Sequence, residues 1–350
     1  MKDIKPALFG LSNSNRDFGN VDSWGKNQFN SSFPASLCCY LASKNLKANY
    51  FVHLNKAFQC KEISIEDAFG IPVTSNDIYF AFEAAHMPFQ KYIKGSLPRT
   101  DLVIQKKSTG ECLRGLEVKL TALPDNTTCT LPDDDYGSEI VIRPDTIVYL
   151  ACSIASSLGK KINSLIDEKI QISDWSDPSE VLQHIENIVL NLKRIASKVD
   201  NQKPFLLQPV WKTLGKSPQL AENCLDVFIW SDLSFMFFIS EVASTNKDAL
   251  KITRQTRTAI WLFKMLLDVA KQGSFDQANI IDNLSYNTKN DKAFASAGNV
   301  TNKFMRCPNL TLPRIQKSEI KKIILGGGQE LLSPERRFDA IIYNSPELFL

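Results

Sequence analysis

Two runs with alternating polar and apolar positions, residues 101–106 and 111–120, flank Ser108-Thr109-Gly110. Alternation at period two marks a strand with one buried face, and a glycine in the loop supplies the left-handed backbone that closes a three-residue hairpin. That loop sets the register. With Lys107 opposite Glu111, Asp101 falls opposite Glu117, because opposed residues of an antiparallel pair share a sheet face. Lys119 shares that face as well, while Leu102, Ile104, Leu116, Val118 and Leu120 share the other. The hairpin is expected to have a chemical side and a packing side.

Helical periodicity is found on both sides of the hairpin. Residues 76–93, NDIYFAFEAAHMPFQKYI, have the spacing of an amphipathic helix interrupted near Pro88, and Ser64 can cap a short helix over residues 65–69. Residues 139–143 predict a strand. Pro144-Asp145 then opens a helix whose apolar positions Ile147, Leu150, Ala151, Ile154 and Leu158 end at Gly159. Asp177 as cap, Pro178 and Glu180 start another, with apolar residues at Val181, Ile185, Ile188, Leu192, Ile195 and Val199. Residues 225–239 form two strand-like runs around Ser231-Asp232. Residues 251–271 are helical, with Arg254, Arg257, Lys264 and Lys271 along one side near Trp261. The stretches 9–34, 123–137 and 283–302 are turn-like, Asp133-Asp134-Asp135 points to solvent, and Gly326-Gly327-Gly328 is a hinge or turn before Arg336-Arg337 and a terminal strand over 338–343.

Composition narrows the chemistry. At 350 residues, 43% of them hydrophobic, the chain can bury one large core or two modest ones. A formal charge of +3 means that any nucleic-acid surface must be local. Eight cysteines without CxxC spacing read as reduced, buried thiols of a cytoplasmic protein, and no apolar run is long enough to span a membrane. With three histidines, a Ser-His-Asp hydrolase or a histidine-rich zinc site is hard to build. Hydrolytic chemistry is thereby pushed towards carboxylates and Mg²⁺.

Facing carboxylates repel unless a cation or a proton joins them, so Asp101 and Glu117 are costly together in isolation and useful around a divalent metal. The Lys119 ammonium can orient a water beside them. Asp101 followed by Glu117-Val118-Lys119 resembles the PD-(D/E)XK nucleases, with Thr100 where that motif often has proline and Pro98 two residues earlier. This resemblance implies metal ligation by Asp101, Glu117 and the backbone carbonyl of Val118. It also implies a mixed central sheet flanked by helices, an α/β (α+β) restriction-endonuclease-like core, with a glutamate on a preceding helix. Glu83 is the candidate there, a helix-surface carboxylate being the alternative. The second Glu-x-Lys, Glu319-Ile320-Lys321, lies in a basic segment far from an upstream aspartate.

Longer strings carry a closer resemblance. PALFGLSNSNRDF and WGKNQFNSSFP near the start, then RTDLVI and GLEVKLTALPD around the hairpin, are similar to the HindVP family of type II restriction endonucleases, over the chain to about Asp125. The resemblance implies Mg²⁺-dependent cleavage of double-stranded DNA at a short palindrome, GRCGYC for this family. It also implies a homodimer matching the two half-sites and a cognate DNA methyltransferase in the same system. For DNA contact, Asn13, Asn15, Arg16, Lys26, Asn27 and Gln28 form a candidate arm, since Asn and Gln can read adenine and Arg guanine. Arg254 and Arg257 are candidates on the basic helix. Turn and cap roles for the first set, and a solvated face for the second, remain as alternatives. The expected organisation is an N-terminal arm and catalytic core over 1–160, then a helix and strand elaboration over 161–350 that contributes to DNA binding or dimerisation. A repair or structure-selective nuclease, or a DNA-binding protein with an inactive hairpin, are the competing classes.

Overall fold

The first described elements are strands, each carrying aromatic residues. The computed structural model describes residues 47–54, 57–64, 77–106, 108–116, 118–120, 140–199, 227–229, 232–244, 251–286 and 294–296. The N-terminal strings, the acidic loop, the triple glycine and the C-terminal arginines lie outside them. β1 (Lys47–Leu54) and β2 (Ala57–Ser64) form an antiparallel hairpin, in register from Lys47↔Ser64 to Leu54↔Ala57. β3 (Ile78–Ala84) replaces the helix predicted over 76–93. Its sequence IYFAFEA suits a pleated surface, where rigid side chains pack across strands, better than a helix, where they lose rotamers. Pro88 then sits in the first turn of a 3-10 segment, Met87–Tyr92, that leads into β4 (Ile93–Lys94).

β5 (Thr100–Lys106) and β6 (Cys112–Leu116) are the expected hairpin, and β5 is the middle strand of an antiparallel sheet of order β3-β5-β6. Gly110 adopts φ +70°, the left-handed conformation that its place in the loop demands. The closing pair differs from expectation by one residue. Lys106 N–H donates to the Glu111 carbonyl at 2.9 Å and Gly110 N–H to the Lys106 carbonyl at 2.8 Å, so Lys106, not Lys107, faces Glu111. A 2.8 Å ion pair joins their side chains. The Ser108 amide and hydroxyl both donate to the Asp77 carboxylate at 2.8 Å, anchoring the loop to the start of β3. A bulge between Ile104 and Gln105 takes up the difference, and Leu102 pairs with Leu116 as the original register requires.

β7 (Val118–Leu120) and β8 (Ile140–Ile142) follow, then α1 (Pro144–Leu158), ended at Gly159 as predicted. After α2 (Ile162–Leu165), the helix expected from Asp177 onward comes as two pieces, α3 (Pro178–Leu182) and α4 (Ile185–Ala196). Asp177 caps the first through the Ser179 amide. Glu180 does not reach back to the cap but accepts from the Ser173 and Asp174 amides at 2.6 and 2.9 Å, which holds its carboxyl below the usual range.

β9 (Val227–Ile229) is the first of the two strand-like runs, and the second is a helix, α5 (Asp232–Ser244). Continuous apolarity does not separate a buried helix from a buried strand. Length does, and the buried positions Met236, Ile239, Ser240 and Ala243 recur at helical spacing. α6 (Arg254–Gln272) is capped by the Thr253 hydroxyl on the Thr256 amide and ends at Gly273 with φ +81°. β10 (Phe275–Asp276), α7 (Gln277–Asn283) and β11 (Phe294–Ser296) complete the described chain. β10 lies parallel to β4, β11 antiparallel to β8, and β9 antiparallel to β7.

The apolar core is continuous across residue 160. It joins Phe89, Ile93, Ile142 and α1 to α4, α5 and α6. α6 is buried nearly all round, with Trp261 and Phe263 fully enclosed and the Trp261 indole N–H donating to the Leu284 carbonyl at 2.9 Å. Sheet and helices meet at α1. Tyr149 lies so close over Gly115 that a Cβ there would overlap its hydroxyl and stand 2.5 Å from Cζ. Phe89 sits 5.0 Å from the Tyr149 ring and 4.5 Å from His86, centroid to centroid. Such aromatic pairs contribute about 0.5–1.5 kcal/mol each.

Two outcomes follow from this junction. Gly115→Ala should cost about 1–3 kcal/mol by overpacking and lower the thermal midpoint. An unchanged midpoint in differential scanning fluorimetry would mean that Tyr149 is free to retreat. His86 is buried, and burial followed by the Arg114 charge pushes its imidazole down to about 4. Below its ordinary range the unfolded chain takes a proton that the folded chain refuses. This share of stability is present at neutral pH and is lost as pH falls towards 4. Between urea melts at pH 7 and pH 5, His86→Phe should therefore lose less stability than the parent chain, and equal losses would contradict the shift.

Candidate active site

Backbone pairing brings two of the sequence candidates together. Phe82 pairs with Leu102 and Ala84 with Thr100, so Glu83 and Asp101 occupy the facing positions between them on β3 and β5. Glu83 thus stands on the neighbouring strand, not on the preceding helix that the spacing predicted. The next row towards the hairpin loop, on the same face by the pleat, is Ala81, Val103 and Gly115. Gly115, with no side chain, leaves the space that Tyr149 fills.

The separation into a chemical and a packing side holds less cleanly than the alternation implied. Val103 shares its face with Asp101 and is fully buried, as is Ile104 on the opposite face. The reason is α1, which covers the Gly115 row through Tyr149. The carboxylate positions therefore lie at the end of a packed apolar surface, with Thr100 beside them at 2% exposure. Charges at the margin of such a surface interact more strongly than in water.

The ladder between β5 and β6 is described as far as Leu102↔Leu116. Glu117, the next residue, lies outside the described residues. Val118 and Lys119 follow on β7, where Val118 pairs with Ile229 and Lys119 with Phe228. Among the described residues no group of three or more His, Cys, Asp or Glu side chains is arranged to hold a metal ion. The donor types at Glu83 and Asp101 are hard carboxylate oxygens, which suit Mg²⁺ rather than a thiolate- or imidazole-seeking metal.

The DNA-contact candidates separate. Asn13, Asn15, Arg16, Lys26, Asn27 and Gln28 lie outside the described residues. Arg254 is the first residue of α6 and half-buried, its carbonyl accepting from the Thr258 hydroxyl at 2.9 Å. Arg257 is fully buried, its guanidinium 4.3 Å over the Trp261 ring, one turn along the helix. The basic row is thus not an exposed stripe. α6 is enclosed on the side that carries Arg257, and the indole face offsets part of the cost of desolvating its charge. Lys264 pairs with Asp268 at 2.5 Å and lies 5.5 Å over the Trp175 ring, while Lys271 is exposed.

His86 is a residue that sequence reasoning passes over. It follows β3 by two residues, is 6% exposed, and its Nδ1 has no hydrogen-bond partner among the described residues. No motif marks it, and its burial comes from ring contacts across the sheet-to-helix junction. Among the described residues Cys112 and Cys152 are free thiols, and burial pushes Cys152 up to about 12, which makes it a poor metal ligand. Among the described residues no helix is long and apolar enough to cross a membrane.

Comparison with known proteins bears on the whole chain. Residues 24–349 match the HindVP restriction endonuclease family. The probable type II restriction enzyme HindVP of Haemophilus influenzae is 54% identical over 349 residues, covering 99% of this chain and 96% of that protein. The type II restriction enzyme HgiDI of Herpetosiphon aurantiacus is 43% identical over 352 residues, covering 99% and 97%. No solved structure matches. The chain belongs to the HindVP restriction endonuclease family and is a type II restriction enzyme.

Proposed function

We propose that this enzyme hydrolyses double-stranded DNA at a short palindrome, GRCGYC by family resemblance, in a Mg²⁺-dependent reaction that leaves 5′-phosphate ends. The observation that carries the reading is the facing of Glu83 and Asp101 on adjacent strands, in a ladder whose Leu102↔Leu116 pair leads directly to residue 117. An isolated cluster of carboxylate positions beside a packed apolar surface is destabilising unless a cation joins it. This favours a divalent-ion site over a surface ion pair. The fold that accommodates it is a PD-(D/E)XK core, with the β3-β5-β6 meander as part of its central sheet.

In this reading Asp101, Glu117 and the Val118 carbonyl hold Mg²⁺, and Glu83 adds a third carboxylate to the row. Magnesium, when bound, supplies Lewis-acid charge next to the scissile phosphate. Lys119 holds the attacking water in line with the leaving 3′-oxygen and offsets charge on the pentavalent phosphorus. Asp101 and Glu83 would hold the cation through hard carboxylate oxygens. A palindromic substrate presents two related half-sites, so the acting species is a homodimer. It works in the cytoplasm, where the host genome is protected by a cognate methyltransferase.

Incubation of the purified protein with unmethylated plasmid and Mg²⁺ should give discrete fragments, and sequencing of their ends should return one palindrome with 5′-phosphates. Asp101→Asn and Lys119→Ala should each reduce cleavage on the order of 10²–10³-fold. Random products would assign the site to structure-selective or repair cleavage, and DNA binding without cleavage would assign the chain to a non-catalytic role. Glu83→Gln should raise the Mg²⁺ concentration needed for half-maximal cleavage. A parental magnesium dependence in that variant would return Glu83 to an ordinary strand position.

A further inference from the structure

The connection from β3 to β5, residues 84–100, carries Lys91, Lys94 and Arg99 and no acidic residue. All three cations are exposed, and Arg99 stands two residues before Asp101 on the chain that enters β5. The turn between them is held from two sides. Gln90 Nε2 donates to the Gly95 carbonyl at 2.8 Å, Gln277 Nε2 donates to the Ser96 carbonyl at 2.6 Å, and β4 runs parallel to β10 with Lys94 opposite Asp276. Gly95 makes the bend itself, at φ +101°. At this joint the Lys94 ammonium donates to Gln272 Oε1 at 3.2 Å, which brings it to the last turn of α6, where Lys271 is exposed beside Gln272. A neutral amide orients the ammonium without cancelling its charge. The acids nearest Lys271 in sequence are engaged elsewhere: Asp268 pairs with Lys264, and Asp276 accepts from the Asn279 amide at 3.0 Å.

We propose that Lys94 and Lys271 contact phosphates of the DNA duplex, forming a sequence-independent docking point where the β3–β5 connection meets the end of α6. Charge complementarity selects this occupant for a type II restriction enzyme, because a duplex carries one negative charge per about 1.7 Å of its axis. The backbone under Lys94 is already fixed by the two glutamines, so less ordering remains to be done when the phosphate arrives. The position in the chain fits as well. The connection that carries Lys94 also delivers β5 with Asp101, and Arg99 is the last cation before it, so a phosphate held at Lys94 ties the duplex to the backbone of the candidate active site. Contacts of this kind set register and orientation and carry no sequence information. The docking point rests on duplex DNA being the substrate, and not on the metal site argued above.

The full-length Lys94→Gln/Lys271→Gln variant tests this against the parent and against Lys160→Gln/Lys161→Gln, which removes the same charge from two exposed lysines beyond the C-terminal end of α1. Binding of a random-sequence duplex is measured by fluorescence anisotropy without divalent metal, from about 50 to about 200 mM salt. Each phosphate contact contributes about 0.9 to the slope of log affinity against log salt, so the Lys94/Lys271 pair should flatten it by about 1.8. Over that range the parent should lose about 12-fold more affinity than the variant. The Lys160/Lys161 pair should keep the parental slope, and so should Lys94→Arg/Lys271→Arg, which preserves both charges. On plasmid with Mg²⁺, the glutamine pair should raise KM while keeping kcat, the cut position and the parental melting midpoint. A parental slope in the glutamine pair overturns the docking point, and so does equal flattening in the Lys160/Lys161 pair, which is the mark of net charge alone. Equal flattening in the arginine pair with a lowered midpoint also overturns it, as the pattern of a distorted joint. A flattened slope in a chain whose parent does not cleave overturns the metal-site reading alone, whereas cleavage by the parent beside an unchanged slope overturns this inference alone.

Discussion

The backbone ladder of β5 is the constraint on which the rest of the site depends. β5 is paired on both edges, with β3 on one side and β6 on the other, so neither edge is free to slide. In a pleated strand a slip of one residue would exchange the two faces and send Asp101 to the face of Ile104. The bulge at Ile104/Gln105 shows how the register is kept. The loop is one residue wider than its sequence suggests, tied by Lys106–Glu111 and by Asp77, and the difference is absorbed at the bulge before the ladder reaches Leu102. The loop is free to choose its own geometry because the bulge isolates the Asp101 end of the strand from it.

Burial on both faces gives that end its electrostatic character. With Val103 and Ile104 both at zero exposure, the strand carrying Asp101 emerges from a dry sheet, not from a solvated one. Carboxylates at the margin of a dry sheet interact more strongly than on an open surface, because less solvent screens them. In the proposed site, a small, hard, doubly charged ion would offset the repulsion between the facing carboxylates. The aromatic group of His86, Phe89 and Tyr149 fixes one wall of this region without adding charge.

How much of this is legible in the sequence depends on whether a local signal or a packing decision is at stake. The hairpin, Gly110, the α1 boundaries at Pro144 and Gly159, and the Asp177 cap are each set by a residue that can do little else, and each is readable. Residues 78–84 and 232–244 are not, and pattern alone puts both in the wrong class. In IYFAFEA the aromatic residues fall at positions compatible with both periods, and in DLSFMFFISEVAS apolarity is nearly continuous, so in each the neighbouring elements decide. Arg257 misleads for a related reason. Charge predicts exposure, yet α6 is enclosed and Trp261 stands one turn away to receive the guanidinium. The facing of Glu83 and Asp101 needs the β3-β5 pairing, which no local pattern specifies. The burial of His86 needs α1 as well.

The continuity of the core lets residues beyond 160 bear on the sheet that carries Glu83 and Asp101. Tyr149 bears on the sheet because α1 is itself held from behind by α6, and α6 by α4 and α5. A carboxylate row is useful only if its strands hold position to within a fraction of an ångström when a charged substrate arrives. Strands β3, β5 and β6 are short, and three short strands do not supply that stiffness alone. The helices supply it through one close contact, Tyr149 on Gly115, where even a methyl group has no room. The match to the family over residues 24–349 spans both halves of the chain. Truncation near residue 160 would leave α1 with its buried face open, so Tyr149 would lose the helices that hold it against Gly115 and the strands bearing Glu83 and Asp101 would lose that support.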